Sequence, residues 1–86
     1  MFLHLGQDKL IPVSEVVMIG DLESATNADS TEEFLNIAKE EGFIIDYSDG
    51  KARSFVLTDE IVYYSMISSS TLAKRIQEIP GKDGGL

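Results

Sequence analysis

Cysteine does not occur in this 86-residue chain, and histidine occurs once, at position 4. The first absence removes disulfides, thiolate metal ligands and thiol nucleophiles. The second removes His-rich metal centres and any Cys–His pair. A chain without cysteine suits a reducing compartment. Long apolar runs are also missing: Val16–Ile19 and Phe43–Ile45 are far too short to cross a bilayer. The opening MFLHLGQDKL has no basic n-region and no long apolar core, so no signal peptide is expected. A soluble, cytoplasmic protein without a membrane partner is the expectation.

Basic residues are scarce, 7 against 15 acids, for a formal net charge of -8. The few bases are not spread evenly. Residues 1–50 carry Lys9 and Lys39 against 11 acids, a net of −9, whereas residues 51–75 carry Lys51, Arg53, Lys74 and Arg75 against only Asp59 and Glu60, a net of +2. Acidity as a whole opposes phosphate binding, but a segregated basic stretch is a functional hint that the total conceals.

The length allows one domain, and a chain this short folds with little margin and profits from partners. With 43% hydrophobic and 26% charged residues it is composed like a folded domain and not like a disordered one. Residues 1–80 are expected to form a single α+β domain and residues 81–86, GKDGGL, a flexible C-terminal tail.

Phe2–Leu5 and Leu10–Val13 flank GQDK, whose Gly6 and Asp8 supply turn chemistry, so a hairpin is expected with Pro12 at an edge. Val16–Ile19 reads as a third, more buried strand. STEEFLNIAKEEG is the clearest local signal. Ser30 as N-cap and Glu33 three residues on make a capping box, Phe34, Leu35, Ile37 and Ala38 form an apolar face, and Gly42 stops the helix. FIIDYSDGKARSFVL reads as strand, tight turn and strand, because Asp49-Gly50 suits a turn with two positive φ angles. A turn at TDE and a strand over IVYYS follow. SSSTLAKRIQEI then gives a capped C-terminal helix with Leu72, Ile76 and Ile79 inward and Pro80 as its stop. The expected fold is therefore α+β: a small, mostly antiparallel sheet of about five or six short strands, one main helix and a short C-terminal helix.

Catalysis is hard to assemble from this inventory, and no enzyme, cofactor, metal or small-molecule substrate is expected. His4 lies in an alternating strand, where a structural role outweighs a ligand role. The SSST hydroxyls at 68–71 suit a helix cap. The acids of DLE match no calcium-loop spacing, and GKDGGL lacks the strand and Ser/Thr of a phosphate loop. Adjacent Tyr63 and Tyr64 point to opposite sides of a strand, giving one core ring and one surface ring, or else an interface anchor.

HLGQDKLIPVSEVVMIGDLESA, a short helix, and IIDYSDGKARSFVLTDEIVYYSMISSSTLAKRI follow one another in an order that resembles the bacterial extracellular-matrix regulatory protein family, RemA and RemB. FLHLG and YYSMISSSTLAKR are nearer its RemB branch, and the likeness runs over roughly Met1 to Ile76. The resemblance implies a DNA-binding transcriptional regulator of biofilm-matrix genes, with a fold likened to LytTR-type DNA-binding domains. It also implies assembly into homo-oligomers, possibly rings of dimers, and double-stranded DNA as partner. In RemA two arginines after a turn glycine serve DNA binding. Here Gly50 is followed by Lys51, Ala52 and Arg53, and the position of a further RemA arginine is Glu15.

Two accounts of the basic stretch follow. In one, Lys51 and Arg53 at a hairpin tip and Lys74 and Arg75 on a helix contact phosphate, and repetition in an oligomer multiplies a weak patch. In the other, these bases balance neighbouring acids, and the chain is an acidic oligomeric protein-interaction module that does not bind DNA.

Overall fold

The computed structural model describes residues 1–25 and 29–77, an α+β chain with two sheets and three helices. β1 (Phe2–Gly6) and β2 (Lys9–Pro12) form the expected antiparallel hairpin, with Phe2 opposite Pro12. Gln7 and Asp8 adopt φ of 50° and 62°, the left-handed pair that a two-residue turn between twisted strands requires. A 3-10 turn over Val13–Glu15 leads to β3 (Met18–Asp21), α1 (Leu22–Ala25) and α2 (Asp29–Glu40). β4 (Ile44–Asp46), β5 (Ser54–Leu57), β6 (Val62–Ser65) and α3 (Ser69–Gln77) complete the described chain.

The second sheet has the order β3-β5-β6-β4 and is antiparallel except for β4, which runs parallel to β6. Strand alternation sorts its side chains to two faces. Val56, with half-buried Ile19 and Tyr63, packs on Leu3, Leu5 and Ile11 of the hairpin and Leu72 of α3. Phe55 and Val62, with half-buried Leu57 and Tyr64, pack on Leu35 and Ala38 of α2. The hairpin and α3 thus cover one face and α2 the other. Covered on both sides, β5 is buried from Ser54 to Val56, so its apolar residues run together instead of alternating.

Several expectations need correction. The third strand is Met18–Asp21, not Val16–Ile19, and it is a sheet edge with Val17 and Met18 exposed. The first rung, Val17 N to Leu57 O at 2.8 Å, comes only after the β-branched run has begun. Ser30 lies inside the first turn of α2, which begins at Asp29, so it is not the cap; the residues just before lie outside those described. The apolar stripe of α2 splits: Leu35 and Ala38 are buried, whereas Phe34 and Ile37 remain about half exposed. Gly42 does end the helix, at φ 80°, with Gly42 N to Lys39 O and Phe43 N to Ala38 O closing the cap.

The largest correction concerns Asp49-Gly50. Both residues take positive φ, 56° and 82°, as their types suggest. The turn is nevertheless part of a crossover and not a hairpin, because β4 pairs with β6 and β5 lies between β3 and β6. Tyr63 and Tyr64 are both half-buried, one on each face, in place of one core and one surface ring. The β5–β6 turn and the C-terminal helix form as expected, and α1 is an addition. Ile79, Pro80 and the tail 81–86 lie outside the described residues.

Candidate nucleic-acid interface

Lys51 and Arg53 stand on the crossover from β4 to β5. Its geometry is set by Asp46, whose carboxylate accepts the Ser48 hydroxyl, the Ser48 amide at 2.7 Å and the Gly50 amide at 3.1 Å. The Ser48 hydroxyl is the chief reason that the Asp46 carboxyl titrates below its ordinary value; partial burial opposes it, and the two amides add to it. Lys51 follows, its amide donating to Ser48 O at 3.1 Å and its side chain exposed. Arg53 is held more firmly. Its amide donates to Ser65 O at 2.8 Å and its carbonyl accepts Leu22 N at 3.0 Å, while its side chain is exposed.

Arg53 borders a groove of about 630 Å³ shared with Asp21, Glu23 and Ser68, Ser69 and Ser70. Ser68 caps α3: its hydroxyl accepts the Thr71 amide at 3.2 Å and its carbonyl the Leu72 amide at 3.0 Å. The cap expected of the SSST run is therefore there, and the positive end of the α3 dipole faces the same groove as Arg53. The Asp21 carboxylate on the other wall is engaged by the Glu23 amide and the Ser24 hydroxyl, capping α1.

Lys74 and Arg75 lie in the last turn of α3 and are exposed. At ~1.5 Å of rise per residue they sit roughly 7 Å along the axis from the Ser68–Ser70 end. Arg75 Nη1 donates to the carbonyl of His4 at 3.4 Å. Lys51 and Arg53 therefore stand on a crossover and not at the expected hairpin tip, while Lys74 and Arg75 lie on the expected helix. Arg53 stands at the start of α3, Lys74 and Arg75 at its end. Among the described residues, Lys51, Arg53 and Lys74 reach no carboxylate within ion-pair distance.

Glu15, the position of a family arginine, lies elsewhere. It is exposed beside Thr58, Asp59 and Glu60, at the end of β5 remote from Arg53. Five of the eleven acids of residues 1–50 lie on α2 and its C-terminal end, where Asp29, Glu32, Glu33, Glu40 and Glu41 are accompanied by one base, Lys39. The charge segregation of the sequence is thus carried only in part into the fold, since Asp21 and Glu23 share the groove of Arg53. α3 with Lys74 and Arg75 covers one face, and acidic α2 covers the other.

His4 pairs with Leu10 in the hairpin and its carbonyl accepts Arg75, while its side chain is exposed. Lys9 has an occupation that the sequence did not suggest. Its Nζ lies 5.9 Å and 5.8 Å from the ring centroids of Tyr47 and Tyr63, which stack at 5.9 Å and tie the hairpin to the sheet. Burial, and secondarily the Asp46 charge, holds the Tyr64 phenol above its usual value. No group of three or more metal-ligating side chains occurs among the described residues, and no described helix is long and apolar enough to cross a membrane. The groove that joins Arg53 to α3 escaped sequence reasoning; its one local signal was Asp21 as the cap residue before LESA.

Comparison with known proteins adds two findings. Residues 2–76 match the RemA-like family model, described as extracellular matrix regulatory protein A-like. The chain is also 38% identical over 77 residues to extracellular matrix regulatory protein B of Bacillus subtilis (strain 168), covering 90% of this chain and 91% of that protein.

Proposed function

The chain belongs to the RemA-like family of extracellular matrix regulatory proteins, and on that premise we propose that it regulates biofilm-matrix genes by binding duplex DNA, through the start of β5 and the α3 face. The observation that carries this is the position of Arg53: exposed, fixed by its backbone in the ladder, and opening on the capped start of α3. A guanidinium beside a helix N-terminus and serine hydroxyls suits a phosphate oxygen. Lys51 supplies a more mobile point charge, and Lys74 and Arg75 supply a second contact along the helix.

One copy offers few such contacts, so the reading includes a cytoplasmic homo-oligomer that repeats them along the duplex. The free edges β3 and β4, with exposed Met18 and Ile45, are the surfaces for that assembly. Such a binder makes phosphate contacts and works without a cofactor.

The test is an anisotropy titration of labelled duplex with the full chain. Saturable binding that Arg53→Ala weakens is expected. Binding that Arg53→Ala leaves unchanged removes Arg53 from the site.

A further inference from the structure

The α2 face carries a groove that DNA binding leaves unused. It runs between α2 and the β5–β6 turn and has a volume of about 740 Å³. Phe34, Ile37 and Phe43 line it while remaining 44%, 53% and 50% exposed, and Leu57, Ile61 and Val62 continue the apolar floor. Three large apolar side chains left open side by side make a patch of the kind that marks an interaction site.

The rim has one sign of charge. Asp59 and Glu60 line the groove on the turn side. On the helix side, Glu33 and Glu41 stand four residues before and after Ile37, on the same stripe, and both are exposed. Among the described residues no lysine or arginine lines the groove, and Lys39, about 200° around the helix from Ile37, is turned away from it. Glu15, beside Asp59 and Glu60, extends the acidic border.

This pairing of floor and rim selects an occupant. An apolar floor takes the apolar stripe of an amphipathic helix, and an acidic rim on both sides takes basic flanks. A second copy seated face to face would set acid against acid, which disfavours it. The α3 helix of a second copy does not serve either, because its Leu72 is buried and its Ile76 packed within its own core. We propose that this groove docks a basic amphipathic helix of a partner protein. The site lies on the opposite face of the sheet from α3, so it is separate from the DNA contacts.

The probe is a synthetic amphipathic peptide of leucine and lysine at helical spacing. It is titrated into the isotope-labelled full chain beside a scrambled peptide of the same composition. The amide signals of Phe34, Ile37, Phe43 and Ile61 are expected to shift. Binding is expected to weaken about tenfold or more with the scrambled peptide, with Ile37→Arg, and with Asp59→Lys combined with Glu60→Lys. Ile37 and both acids of the turn are solvent-facing, so the variants should keep the wild-type signal dispersion of β5 and β6. Three results overturn the proposal: equal binding of the scrambled peptide, shifts confined to α3 and β1, or a mass that rises with concentration and is reduced by Ile37→Arg without any peptide. A DNA titration in parallel separates this outcome from that of the α3 face.

Discussion

The hydroxyl of Ser65 donates to the carbonyl of Leu5 at 2.8 Å and accepts the Ile67 amide at 3.0 Å, joining residues sixty positions apart inside the core. Ser65 is fully buried, and this one side chain satisfies the buried Leu5 carbonyl and the half-buried Ile67 amide. Ser65→Ala leaves both unmet, at a cost of about 1–3 kcal/mol. The expected result is a lower denaturation midpoint with unchanged denaturant dependence. An unaltered midpoint would mean that the hairpin docks without this bond.

Gly20 makes a second, purely steric prediction. It stands opposite Phe55 in the β3–β5 ladder, and a Cβ there would meet the Phe55 ring at 2.2 Å. In a strand, Gly→Ala is ordinarily tolerated or mildly favourable. Here the ring is buried and has little room to yield, so Gly20→Ala should destabilise by roughly 1–3 kcal/mol through overpacking. Combining it with Phe55→Leu should recover part of that loss. A melting temperature for Gly20→Ala equal to wild type would show that the ring moves freely.

Asp46 contributes to acid stability. Its folded carboxyl titrates below the ordinary value of 3.8, chiefly because the Ser48 hydroxyl bonds the charged form. A depressed folded value contributes stability that is present above the unfolded value and is lost as pH falls through the folded one. Wild type should therefore lose stability as pH drops below about 3.8, and Asp46→Asn should show a flatter dependence there together with lower stability at neutral pH. Parallel pH profiles for the two proteins would exclude this role.

Much of the local structure was legible because its causes are local. GQDK forms its turn, Gly42 stops α2 and Ser68 caps α3, each through residue types that satisfy nearby main-chain groups. What was illegible depends on partners distant in sequence. Asp49 and Gly50 announce two positive φ angles but not which strands they connect, and the parallel pairing of Ile44 with Val62 turned an expected hairpin into a crossover. Phe34 and Leu35 look equivalent in a helical pattern, and only the sheet beneath α2 decides that Leu35 is buried. The site divides in the same way. Lys51, Arg53, Lys74 and Arg75 are exposed as a charged stretch should be, yet the meeting of Arg53 with Ser68–Ser70 arises from packing alone.

The central claim is that Arg53 and the α3 side of the sheet, and not the α2 side, read phosphate. It is tested most directly by the salt dependence of duplex DNA affinity for wild type, Arg53→Ala, Lys74→Ala and Lys39→Ala. Each lost phosphate contact should lower the log–log salt slope by about 0.9, so Arg53→Ala should lose at least that much and Lys74→Ala a smaller amount. Lys39→Ala, on the acidic α2 face, should leave the slope unchanged. Wild type that fails to bind at about 50 mM salt, where phosphate contacts are strong, would contradict the account. So would a slope that Lys39→Ala lowers as much as Arg53→Ala.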